Sequence, residues 1–125
     1  MKLRTFLSIV GVVAILFGIG FVVAPAEVLA QYGITADPYT AFMSRFFGVA
    51  LINVGLITWF ARSIVDSLGR RSIVLAGLIG DAVGFFVALQ AQMNGIVNAL
   101  GWSTVLIYAL FTIGFAYFLF APKSP

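Results

Sequence analysis

Residues 5–24 read TFLSIVGVVAILFGIGFVVA, and this stretch decides the fold because it is long, apolar and free of charge. A helix needs about 20 apolar residues to cross the hydrocarbon core of a bilayer. Three further long apolar runs follow, at residues 39–61, 72–93 and 103–121, and the first two of these each contain one charged residue. Hydrophobic residues make up 62% of the 125-residue chain and charged residues 9%, so the expected solvent is lipid.

The four runs are predicted to be helices rather than barrel strands. Inside a bilayer the backbone must satisfy its own hydrogen bonds, which leaves only helices and closed barrels. Barrel strands alternate in polarity over about 10 residues, whereas these runs are apolar on all faces and about twice as long. The predicted fold is therefore an all-α, polytopic membrane protein, an up-down bundle of four transmembrane helices forming one domain over residues 1–125.

The N-terminal run has a rival interpretation as a signal peptide. Lys2 and Arg4 precede it, and Ala24-Pro25-Ala26 fits an A-x-A cleavage pattern. The apolar core of a signal peptide usually has about 7–15 residues, whereas the stretch from Phe6 to Val23 is uninterrupted and longer. We therefore expect a retained first helix.

The basic residues predict the orientation of the chain. Short cytoplasmic loops are enriched in Lys and Arg, and residues 25–38 and 94–102, which connect the first and last pairs of runs, contain neither. We expect both termini to be cytoplasmic. Because the basic residues form no stripe, nucleic acid is not an expected partner. The six flanking basic residues all fall on one side: Lys2, Arg4, Arg62, Arg70, Arg71 and Lys123.

Turn and cap signals divide the loops. Pro25 can open a helix and Gly33 can end one, so residues 25–33 are interpreted as either a short surface helix or an ordinary loop. Asp37-Pro38 predicts the start of the second run, with Asp as the N-cap. Gly69 is expected to interrupt the loop between the second and third runs, and Asn94-Gly95 to end the third.

Small residues predict where the helices pack. Helices in lipid associate through close packing and polar contacts, so glycine stripes mark contact faces. We expect these glycines to pack the bundle of a single chain; packing between protomers of a homo-oligomer is the alternative. The predicted packing residues are Gly11, Gly18, Gly48, Gly55, Gly77, Gly80 and Gly84, of which Gly80 and Gly84 form a GxxxG motif.

Two charged residues lie inside the predicted spans, Arg45 in the second and Asp81 near the middle of the third. Intramembrane charges usually face a bundle interior and often mark function. We expect Arg45, Asn53 and Asp81 to form a polar cluster between the second and third spans, with Gln90 and Gln92 at its outer mouth. The cluster is interpreted either as a structural clamp or as a site for a polar head group, an ion or a proton.

Residues 45–50 (RFFGVA), 98–104 (NALGWST) and 114–118 (GFAYF) resemble those of a family of small bacterial four-helix membrane proteins of unknown function. The Arg-x-x-Gly of the second run is also similar to that of the DoxX-like membrane proteins. The second resemblance implies a four-helix bundle and a link to a redox or quinone pathway. Neither resemblance supplies catalytic residues.

The absence of Cys and His excludes disulfides, thiol chemistry and histidine-ligated metals or haem. We therefore expect no cofactor, no metal and no enzymatic activity, since an enzyme would have to use Asp81 as acid or base without a nucleophile. The first functional hypothesis is a non-enzymatic membrane protein that acts as a partner or accessory subunit. The alternative is an oligomeric binder or transporter of a small molecule, lipid or ion.

Overall fold

The computed structural model describes residues 1–121, so Lys123 lies outside the described residues. The described part of the chain is all-helical, and four of its helices are long and apolar enough to cross a membrane, as predicted. The fifth is a short helix between the first two spans. In chain order the helices are α1 (Leu3–Val23), α2 (Pro25–Gln31), α3 (Pro38–Ala61), α4 (Ser67–Met93) and α5 (Gly101–Phe120).

The segment after α1 forms a helix rather than an ordinary loop. Pro25 is the first residue of α2, where its missing N–H costs nothing. Gly33 has a φ of 78°, a left-handed conformation in which glycine carries no steric penalty. The structure thereby settles the alternative that the sequence left open for residues 25–33.

Aspartate caps open both α3 and α4. The carboxylate of Asp37 accepts a hydrogen bond of 2.7 Å from the backbone N–H of Thr40, which also lowers the pKa of that carboxyl. The carboxylate of Asp66 accepts one of 2.7 Å from the backbone N–H of Gly69. α4 therefore starts at Ser67, five residues before the predicted boundary, and the prediction that Gly69 interrupts a loop is wrong. An N-cap hydrogen bond stabilises a first turn that the apolar pattern alone did not mark.

The helices pack as two pairs, α1 with α3 and α4 with α5, and contacts between the pairs are sparse. Glycines let α1 and α3 approach closely: a Cβ built at Gly18 would lie 2.7 Å from the carbonyl oxygen of Gly48, and one built at Gly11 would lie 3.0 Å from that of Gly55. In the second pair, aromatic rings of α5 fill the space that glycines of α4 leave.

The two pairs join at the end of the bundle that contains Leu3 and Phe120, which we call the terminal end. A small buried core holds them there. The ring of Phe6 packs edge-on against that of Phe115, with ring centroids 4.9 Å apart. The core consists of Phe6, Leu7, Val10, Ala61, Val74 and Phe115.

Candidate functional site

A cavity of about 600 Å³ lies between the two helix pairs. Its walls come from all four long helices and are mostly aliphatic and aromatic: Val10, Val13, Ala14, Phe17 and Phe21 of α1, Phe47, Leu51, Val54 and Ile57 of α3, Ile73, Ala76, Gly77 and Gly80 of α4, and Ile107, Phe111 and Phe115 of α5. The cavity exists because each pair is packed tightly within itself, while the pairs meet closely only through the core at the terminal end.

Few polar side chains face this space. The charged residue in the wall is Asp81, with no other among the described lining residues. Tyr108 of α5 lines the cavity as well, as do Thr58 and Thr104. The Thr58 hydroxyl donates to the backbone carbonyl of Val54 at 2.8 Å, so it is satisfied within its own helix. Asp81 has no comparable bond: the side-chain hydrogen bonds among residues 1–121 do not include it.

Helical spacing explains why Asp81 faces inward. Gly77, Asp81 and Gly84 are separated by four and three residues, which places them on one face of α4. Gly77 lies against the ring of Phe115 and Gly84 against the ring of Tyr108. Asp81 therefore lies about one helical turn from each of these two glycines, on the face of α4 that packs against α5, and it lines the cavity.

Gly80 enlarges the cavity. A Cβ at this position would meet no atom within 4 Å, although Gly80 lines the cavity. It therefore differs from Gly84, the other member of the GxxxG motif, which packs against α5. Of the seven glycines predicted as packing residues, Gly80 alone has such open space around it.

The opposite end of the cavity, which we call the α2 end, is covered by residues 25–34. Leu29, Tyr32 and Ile34 line the cavity there. Asn98 ties this cover to the α4–α5 loop: its backbone N–H donates to the carbonyl of Tyr32 at 2.9 Å and its side-chain amide to the carbonyl of Gln31 at 3.1 Å. The Thr104 hydroxyl adds a bond of 3.3 Å to the hydroxyl of Tyr32.

The structure separates Asp81 from two of its predicted partners. Arg45 and Asn53 are exposed, do not line the cavity and take part in none of the side-chain hydrogen bonds of residues 1–121. At 100° per residue, Arg45 lies on the side of α3 opposite Val54, which lines the cavity. α3 packs mainly on α1 rather than on α4, so the expected cluster between the second and third spans is not assembled.

The two glutamines predicted at the outer mouth behave differently. Gln90 is exposed. Gln92 is partly buried and donates through its amide nitrogen to the carbonyl of Asn98 at 3.1 Å, while its buried Oε1 has no partner among the described residues. Gln92 therefore belongs to the connection at the α2 end rather than to a cluster with Asp81.

Sequence reasoning missed Tyr108 and Asn98. Tyr108 lies five residues inside the fourth run, deeper than Tyr39, which begins the second run, and Tyr32, which lies between two runs. A polar aromatic residue at that depth needs either a hydrogen-bond partner or a cavity. Asn98 carried no such signal, since its contacts depend on the path of α2.

No family model, curated protein or solved structure matches this chain.

Proposed function

We propose that this chain is a small integral membrane protein that binds an apolar small molecule in the cavity between its two helix pairs. The observation that carries the proposal is the cavity itself. Its volume of about 600 Å³ falls within the roughly 300–1,000 Å³ of small-molecule sites, which are mostly apolar and have a few polar groups that orient the ligand. Asp81, Tyr108 and Thr104 are polar groups of that kind.

The membrane setting supports the proposal. A molecule that fits an apolar cavity also partitions into lipid, where a membrane protein can bind it. The flanking basic residues support an orientation with both termini in the cytoplasm. The resemblance to small bacterial four-helix membrane proteins supports a place in the bacterial inner membrane. We assign the protein binding or transport rather than catalysis, because among residues 1–121 the cavity wall offers the carboxyl group of Asp81 without a Cys, His or Lys side chain beside it.

The test is to fill the cavity. Gly80→Leu places a side chain in open space, so the fold should persist while the ligand is excluded. We expect the fluorescent neutral probe N-phenyl-1-naphthylamine to bind the parent protein in lipid nanodiscs above the level of empty nanodiscs. Gly80→Leu should weaken that binding by about tenfold or more, equivalent to about 1.4 kcal/mol.

Ala50→Leu is the matched control, since Ala50 is exposed on α3 and does not line the cavity. It should bind the probe as the parent does. Probe binding no stronger than that of empty nanodiscs, or equal binding by the Gly80 and Ala50 variants, would overturn the proposal.

A second candidate function is that of a membrane-protein partner or accessory subunit. It is favoured by Arg45 and Asn53, which lie on the exposed side of α3 within a membrane-spanning helix. Charged and amide side chains inside a bilayer usually face protein rather than lipid. A neighbouring transmembrane helix, from a second copy or from another protein, would give them hydrogen-bond partners.

The double variant Arg45→Leu, Asn53→Leu tests this candidate. For the parent in mild detergent, light scattering should give a mass above that of a monomer, or a second membrane protein should co-purify in stoichiometric amount. The double variant should lose the oligomer or the co-purifying protein, whichever the parent shows. Val49→Leu is the control on the same exposed side. A monomeric parent that co-purifies with no stoichiometric partner would rule out this function.

A further inference from the structure

We propose that the ligand of this cavity is a lipophilic cation: a molecule with one amine, quaternary ammonium or phosphonium charge on an apolar, aromatic body, with the charge held at Asp81 between the rings of Tyr108 and Phe115. This inference rests on the proposed function, because it names the class of molecule that the same cavity takes.

Asp81 has no counter-charge among the described residues of the cavity wall. Asp81 is the charged residue of the described cavity wall, and no Lys or Arg of residues 1–121 lines the cavity with it. A carboxyl group in apolar surroundings either takes up a proton or remains ionised beside a cation. The described residues of the wall supply no such cation, so a cation in the ligand is the group that would complete the site.

Aromatic rings of α5 line the cavity near Asp81. Tyr108, Phe111 and Phe115 follow one another at spacings of three and four residues, so they share the face of α5 that lines the cavity. Two of these rings lie against Gly84 and Gly77, one helical turn on either side of Asp81. Ring faces attract cations, and the attraction grows when the charge is desolvated.

The rest of the cavity wall is apolar and partly aromatic. On the α1 and α3 side the cavity presents Phe17, Phe21 and Phe47 beside aliphatic residues. An apolar aromatic body fits this surface, whereas a small hydrated ion would leave most of it uncovered and would lose its own water. An anionic ligand would place like charge beside Asp81, which is unfavourable at low dielectric.

The experiment compares two ions of nearly the same shape and opposite charge. Tetraphenylphosphonium is the cation and tetraphenylborate the anion, and each is measured by equilibrium dialysis against the protein in nanodiscs, with empty nanodiscs as baseline. We expect saturable binding of the cation and none of the anion. Asp81→Asn should weaken cation binding by about tenfold or more, because it removes the ion pair.

Two further variants separate charge from shape. Asp81→Glu keeps the charge and should retain the preference for the cation. Phe111→Leu removes one ring of the cavity face and should weaken cation binding by at least a few-fold, since it removes one cation–π contact. Ile113→Leu, at an exposed position of α5 outside the cavity, is the control and should change nothing.

The neutral probe N-phenyl-1-naphthylamine distinguishes the two levels of proposal. Suppose that the protein binds this probe and that Gly80→Leu weakens the binding. If the parent then binds the cation and the anion alike, or if the Asp81→Asn variant binds the cation as well as the parent does, the cation assignment is overturned and the proposed function stands. If the neutral probe binds no more strongly than to empty nanodiscs, the proposed function is overturned, and so is the cation assignment that rests on it. The neutral probe also shows that the Asp81→Asn cavity is intact, because its binding should change by less than about threefold.

Discussion

Glycines of this chain do two opposite things at the residue scale. Gly18 lets two backbones touch, since its absent Cβ would lie 2.7 Å from the carbonyl oxygen of Gly48 and from a side-chain atom of Ile52. Gly80 instead faces open space in the cavity wall. The sequence predicted both as packing residues because spacing shows which face of a helix is small, but not what lies opposite that face.

Gly18→Leu should therefore destabilise the protein, and Gly80→Leu should not. A leucine at position 18 must push α1 away from α3, an overpacking cost of about 1–3 kcal/mol or more. The same substitution at position 80 meets no atom and gains helix propensity over glycine. The measurement is the midpoint of thermal unfolding in detergent for both variants and the parent. Equal midpoints for the two variants would contradict the tight α1–α3 contact.

The α2 end of the bundle depends on connections between elements. Asn98, in the α4–α5 loop, bonds the carbonyl groups of Gln31 and Tyr32, and its Oδ1 accepts from the backbone N–H of Leu100 at 3.0 Å. Local signals in the sequence predicted much here, including the N-cap at Asp37 and the helix end at Asn94. They could not predict a bond between residues 67 positions apart, which only the assembled bundle creates.

Asn98→Ala should loosen the cover of the cavity without unfolding the bundle. It removes two side-chain hydrogen bonds, each contributing about 0.5–1.5 kcal/mol. We expect faster amide hydrogen exchange in α2 and unchanged exchange in the middle of α1. Asn94→Ala is the control, since Asn94 is also exposed and its side chain makes none of the described hydrogen bonds. Unchanged exchange in α2 would show that Asn98 does not hold the cover.

For the whole molecule, run length and composition correctly predicted four long apolar helices, but not how these helices pair. The sequence predicted that Arg45 and Asp81 lie in one polar cluster, because they are the two charged residues within the predicted spans. The structure instead packs α3 on α1 and α4 on α5. Which helices pack together depends on whether a glycine lies opposite a backbone or opposite an aromatic ring, as Gly77 lies opposite Phe115. The pattern of residues along the sequence does not show what lies opposite each glycine.

The proposed orientation makes a prediction at the same scale. The chain has no cysteine, so single cysteines report on their own positions alone. Thr35→Cys, before α3, should react with a membrane-impermeant thiol reagent in intact cells, and Ser63→Cys, before α4, should react only after lysis. Both positions are exposed, so accessibility in the folded chain is matched. Labelling of Ser63→Cys alone in intact cells would reverse the orientation.

Binding of an apolar molecule between the helix pairs is tested most directly by locating one there. Crystals grown from lipid with 1-iodonaphthalene would give an anomalous signal at the iodine position. We predict a peak inside the cavity, beside Gly80 and Phe111, that disappears in Gly80→Leu and remains in Ala50→Leu. Iodine found only on lipid-facing surfaces of the helices, with α1 and α3 packed against α4 and α5 along their whole length, would contradict the account.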